Sequence, residues 1–180
     1  MNEESKKISI IGTNTRYQIK KVTQTKMDKT RVKTLGWDFS EDFISNQIAI
    51  LKEIINNDSE THPDSHNVFK KEVSLKMAGY RQQDILKNVL DEENIITSEQ
   101  ILSKLCECNM TCFYCSGNVQ VLYKLVREKT QWSLDRINND LGHNLDNVVI
   151  SCLECNLKRR RKSSDAFAFT KQLVLSRHGY

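Results

Sequence analysis

The sequence predicts an α+β protein, a helical N-terminal region followed by a small module stapled by cysteines. Three observations carry that reading. Apolar residues recur at helical spacing as far as Leu105. Beyond Cys106 they become β-branched and aromatic, in short runs suited to strands. Two C-x-x-C pairs, Cys112/Cys115 and Cys152/Cys155, then bracket the second half. The 180 residues divide into a flexible basic arm over 1–36, a helical region over 37–105, and the module with a C-terminal helix over 106–180.

The arm is rich in Lys, Thr and Asn and shows little hydrophobic periodicity, so it reads as irregular. Lys20, Lys21, Lys26, Lys29, Arg31 and Lys33 offer contacts to a phosphate backbone; a solvated tail has the same composition. Ser40, followed by Glu41 and Asp42, is an N-cap with acids in the first turn. Phe43, Ile44, Ile48, Leu51, Ile54 and Ile55 then extend one amphipathic helix to Asn57. Residues 57–66 are polar and hold the sole proline, Pro63, which predicts a loop. His62 and His66 flank that proline, which rules out a regular helical ligand pair.

Val68–Ala78 is the next helix by pattern, stopped by Gly79, with another over Asp84–Leu90. Thr97 and Gln100 form a capping box that opens a short helix through Leu105. Val119, Val121, Leu122, Leu125 and Val126 suit a strand, and Trp132–Ile137 suits a second. Phe167, Phe169, Leu173 and Leu175 read as core residues that pack the C-terminal helix on the helical region.

A net charge of +4 is mild, but seven basic residues against one acid after Asn156 make a clustered positive face. Such a face selects a polyanion, with nucleic acid first. Met1–Lys7 is charged with no apolar run behind it, and metal-like cysteine spacing fits a reducing, intracellular setting. No apolar run reaches the ~20 residues that a membrane span needs.

Two C-x-x-C knuckles supply the four sulfurs of a structural Zn²⁺ site; four buried free thiols are the alternative. Cys106 and Cys108 exceed one tetrahedral site and read as structural or partly exposed thiols. Between the pairs lie Leu134-Asp135-Arg136-Ile137, Gly142-His143-Asn144 and Asn147-Val148-Val149, and Asn156 follows Cys155 directly. This segment, Cys112–Lys162, is under a third of the chain and resembles the HNH (ββα-metal) endonuclease superfamily.

The resemblance implies two strands and a helix around one catalytic Mg²⁺ or Mn²⁺, with Asp135 and Asn156 as its ligands. It implies that Asn147 ties down the loop that shapes the site, and that double-stranded DNA is the partner. The oxygen donors agree with the chemistry, since Mg²⁺ takes few protein ligands and completes its shell with water and phosphate. Where most members carry a base histidine, this chain has Arg136, which stays protonated and can grip phosphate instead. The base then falls to His143, equally readable as a packed loop histidine, or less readily to Tyr123. Lys158, Arg159, Arg160, Arg161 and Lys162 are the expected phosphate-backbone contacts, placed on the same helix as Asn156. The expectation is a metal-dependent DNA endonuclease, against a zinc-stabilised nucleic-acid-binding module without catalysis.

Overall fold

The computed structural model describes residues 28–32, 46–57 and 63–173. The sequence readings at Trp37, Phe39, the Ser40 cap, His62 and Leu175 lie outside the described residues. Within them the protein is mixed α+β, with five helices and one two-stranded antiparallel sheet.

Helix α1, Gln47–Asn56, buries Gln47, Ile50, Leu51 and Ile54 along one stripe. Asn57, at φ 56°, ends it in the left-handed region. The Gln47 side chain accepts hydrogen bonds from the backbone N–H groups of Val121 and Leu122 and donates to the Leu122 carbonyl. A buried amide thus satisfies irregular backbone where no strand partner exists.

Helix α2, Pro63–Leu86, runs unbroken for 24 residues. This corrects three sequence readings: the loop through His66, the stop at Gly79, and a separate helix from Asp84. Pro63 opens the helix, where its missing N–H costs nothing. Gly79 lies mid-helix with open space around it, and the ~1 kcal/mol preference of Ala over Gly is outweighed by burial of Phe69, Val73 and Tyr80. The residue that ends α2 is Asn88, at φ 55°, with Val89 N–H bonded back to the Asp84 carbonyl. His66 sits in the first part of α2 with Nε2 2.9 Å from Glu53 on α1.

Helix α3, Ser98–Glu107, opens on the predicted capping box, with both reciprocal Thr97–Gln100 bonds formed. It extends one half-turn beyond Leu105, and Asn109 and Met110 then reverse the chain with positive φ.

The segment 119–126 is not a strand, which corrects that expectation. Gln120 bridges Gln131, and Leu125 bridges Thr30, but no ladder forms. Val119, Val121 and Leu122 are apolar because they fill the core from an irregular path. Residues 28–32 run beside it: Arg31 N–H donates to the Lys124 carbonyl and Val126 N–H to that of Lys29. This short part of the expected arm is therefore held in place.

Strand β1, Trp132–Arg136, pairs with β2, Val148–Cys152, in a register that sets Trp132 opposite Cys152 and Arg136 opposite Val148. All of β1 is buried, because the sheet is covered on both faces. One cover is α2, whose Tyr80 hydroxyl accepts a bond from Leu134 N–H. A two-stranded sheet alone is marginal, so this packing and the cysteine cluster hold it.

Helix α4, Leu153–Arg159, follows β2 directly, and α5, Ser164–Gln172, closes the described chain. Arg160 (φ 56°) ends α4, so Arg161 and Lys162 lie in a turn and not on the helix with Asn156, contrary to expectation. Of the expected C-terminal core, Phe167 alone among the described residues is buried, and its ring lies edge-on to Tyr114 in the module. Phe169 and Leu173 are exposed (69 % and 50 %). Among the described residues no helix is long and apolar enough to cross a membrane.

Candidate metal centre and adjoining cleft

Two tight turns build the cysteine cluster. In the first, Cys112 N–H donates to the Gly117 carbonyl and Ser116 N–H to that of Cys112, which folds Cys112 and Cys115 toward one point. In the second, Cys152 caps α4 and its sulfur accepts from Cys155 N–H. Phe113 N–H donates to the Ile150 carbonyl, so the first turn is fastened to the strand leading into the second.

The sulfurs of Cys112, Cys115, Cys152 and Cys155 all lie within 4.8 Å of one another. Tetrahedral Zn²⁺ with thiolates at ~2.3 Å sets its sulfurs about 3.8 Å apart, so the cluster fits a zinc-like ion after a small contraction. A hydrogen bond from Cys152 brings the Cys112 thiol down to about 4, and the same bond raises Cys152. Burial pushes Cys155 up to about 12. Thiols packed this closely hold one another's protons, and a cation that displaces those protons suits the cluster. Cys106 and Cys108 stay outside the cluster; the Cys108 thiol donates to the Leu105 carbonyl and is raised by burial.

Beside the cluster lies a cleft of about 260 Å³. Asp135, Arg136, His143 and Asn156 line it from the module, Lys87 lines it from α2's end, and Arg160 lies at its edge. Five residues singled out in the sequence, Arg160 among them, thus meet in one cavity. Tyr123, the other base candidate, does not line it. That ring sits under the Arg31 guanidinium, 4.2 Å from its centroid, in a separate hollow with Lys76 and Trp132.

Asp135 is heavily engaged. Arg159 grips it with Nε–Oδ2 2.6 Å and Nη2–Oδ1 2.8 Å, and the Tyr114 hydroxyl donates to Oδ2 at 2.7 Å. Arg159 also donates to the Lys162, Arg136 and Asn139 oxygens, and is fully buried. It is therefore a structural cation and no part of an exposed phosphate-binding face, a correction to the sequence reading. Asn156 donates its amide to Ser133 Oγ and the Leu134 carbonyl, each at 3.2 Å, and no donor among the described residues reaches its amide oxygen. The oxygen donors left for a divalent ion are this amide and one lone pair on Asp135 Oδ1. Arg159 already balances the Asp135 carboxylate, which opposes tight binding of a second cation there.

Asn147 fixes the loop between the strands. Its amide donates to the Asn138 and Gly142 carbonyls and its oxygen accepts from Asn138 N–H. Arg136 donates to the Leu141 carbonyl from the same loop. His143 is 3 % exposed and receives support that the sequence did not reveal. Its backbone N–H donates to Asp84 Oδ2 at 2.6 Å, and Nδ1 lies 2.7 Å from Oδ1. The Tyr80 ring stacks on the imidazole at 4.6 Å. Burial lowers the His143 pKa, against an upward pull from Asp84 and with a further downward push from Arg136 and Lys87. Gly142 makes this close approach possible, since a Cβ there would stand 2.6 Å from the Val89 carbonyl oxygen and 3.1 Å from Asp84.

Sequence reasoning missed Asp84 and Tyr114. A single aspartate in a helical stretch carries no local signal. Arg159 did carry one: it stands four residues after Cys155, on the same inward face of α4. Lys158, Arg160, Arg161 and Lys162 are the exposed cations of the basic run, and Lys158 is paired with Glu154. Comparison of the chain with models of protein families, with curated proteins and with solved structures found no match.

Proposed function

We propose that the protein is an endonuclease that hydrolyses DNA phosphodiester bonds in the cleft between β1, the 138–147 loop and α4, with help from a divalent ion. The observation that carries this reading is the position of His143. Its Nε2 has no partner among the described residues, and it shares one cavity with Asp135, Asn156, Lys87 and Arg160. A neutral imidazole there removes a proton from water as the water oxygen bonds to phosphorus. The P–O3′ bond breaks in line, and the leaving oxygen takes its proton from solvent. Lys87 and Arg160 hold the phosphate by charge. Asp135 and Asn156 would hold Mg²⁺ or Mn²⁺, which when bound supplies Lewis-acid stabilisation of the charged oxygens. The cysteine cluster keeps Asn156 in place, because Cys155 precedes it on α4.

One observation favours a second reading, a zinc-stabilised nucleic-acid-binding module without catalysis. It is the grip of Arg159 and Tyr114 on the carboxylate that would serve the ion. Plasmid incubated with the purified protein and Mg²⁺ or Mn²⁺, beside His143→Ala and Asn156→Ala, separates the two. Nicking that both substitutions abolish supports the nuclease. Salt-sensitive DNA binding with no cleavage in either metal supports the second reading. Cleavage that persists in both variants points to a contaminant.

A further inference from the structure

We propose that Asp84, on a helix outside the cysteine-stapled module, is the positioning residue for His143: it fixes the tautomer that leaves the Nε2 lone pair open to the cleft. The inference rests on the nuclease reading for its catalytic consequence and on geometry alone for the tautomer. An ionised carboxylate has only acceptors to offer, so the Nδ1 atom 2.7 Å from Asp84 Oδ1 must carry the proton. The other oxygen takes the backbone N–H of the same residue, so one carboxylate sets both the ring and the chain that bears it. Asp84 is itself 0 % exposed, which removes competing water.

The surroundings are specific to this job. Gly142 brings the loop against α2 more closely than any side chain would allow. The Tyr80 ring packs against the imidazole, tilted by 35°, while its hydroxyl is committed to Leu134. The charged groups around the imidazole are Asp84 from α2, Lys87 just after its end, and Arg136 from β1, whose Nη1 lies 4.0 Å from Asp84 Oδ1. Burial and the two cations favour the neutral ring that a base needs, and Asp84 stabilises the imidazolium once it forms. A merely structural clamp between α2 and the loop would need no ring bond at all, since the backbone bond suffices.

Imidazole ¹⁵N–¹H correlation spectra of the zinc-loaded full chain near neutral pH, assigned with His143→Gln, read the tautomer without any activity. The expected result is a protonated Nδ1 and an unprotonated Nε2 at His143. Asp84→Asn should shift the population toward protonated Nε2, and should slow plasmid cleavage by about 10–100-fold. The acidic limb of its pH–rate profile should move to lower pH, because the lost charge is one that raises His143. A wild-type ring protonated at Nε2 overturns the proposal, and that holds even if Asp84→Asn does not fold. So does a folded Asp84→Asn protein with unchanged tautomer and rate. A wild-type ring with the expected tautomer in a protein that cuts no DNA supports the role of Asp84 and refutes the nuclease reading.

Discussion

Arg159 closes on Asp135 through two parallel hydrogen bonds of 2.6 and 2.8 Å, and this pair locks α4 to β1 beneath the cleft. The guanidinium is fully buried and the carboxylate nearly so. Removing one partner of such a pair leaves an uncompensated charge inside the protein. Arg159→Met should therefore lower unfolding free energy by about 3–5 kcal/mol in denaturant titration. Tyr114→Phe removes the third bond to the same carboxylate, with the longer hydroxyl contact to Ser164, and should cost about 1–3 kcal/mol. Equal losses from both substitutions would show that the ion pair is not what holds α4.

The cysteine cluster should hold about one zinc per chain by metal analysis. Cys152 is both a ligand donor and the cap of α4, so Cys152→Ser should release the ion and unfold the module together. Metal should also leave as pH falls, because each thiolate that protonates is a ligand lost. A zinc-free protein with an unchanged melting curve would contradict this assignment.

Gly142→Ala should be damaging although the loop is at the surface. The new Cβ would meet the Val89 carbonyl oxygen at 2.6 Å, with the Asp84 carboxylate at 3.1 Å and the Asn144 amide oxygen at 3.3 Å crowding it further. A destabilisation of about 1–3 kcal/mol is expected, with loss of the Asp84–His143 contact. Gly79→Ala is the internal control: open space surrounds it, so the same change should stabilise α2 by about 0.5–1 kcal/mol.

Lys76 provides a pH test in a second region. Its ammonium donates to Gln131 and to the Trp132 carbonyl and lies 4.9 Å from the Trp132 ring centroid. Burial, with Arg31 nearby, brings its pKa down to about 7. Between about 7 and the ordinary lysine range the unfolded chain binds more protons than the folded one. Stability should therefore rise with pH across that window. Lys76→Met should flatten the rise, as measured by denaturant unfolding at pH 7 and pH 9.5. A wild-type protein no more stable at the higher pH, relative to the variant, would disprove the shift.

Short-range chemistry was legible in the sequence. Thr97 and Gln100 stand three residues apart, and both halves of their capping box form. The C-x-x-C pairs announced turns that converge, and Trp132 begins a strand as its residues suggest; the partner strand over Val148–Cys152 was not located from the sequence. Gly79 and Pro63 misled because their local preferences are worth about 1 kcal/mol or less where they stand, and burial of one long helix face exceeds that. Val119–Val126 misled because β-branched residues mark burial as readily as a ladder.

By itself the sequence determined the helical first part, the strand at Trp132, the sulfur ligands and the presence of Asp135, His143 and Asn156 between and beside them. Only the tertiary structure decided what those residues touch. Asp84 meets His143 across 59 positions, and Arg159 turns inward to Asp135 instead of outward to a phosphate. Residue type and spacing fix which local bonds are available. Which charge is buried, and against what, depends on how separate elements dock, and that is set by the burial of the whole core rather than by any one stretch of chain.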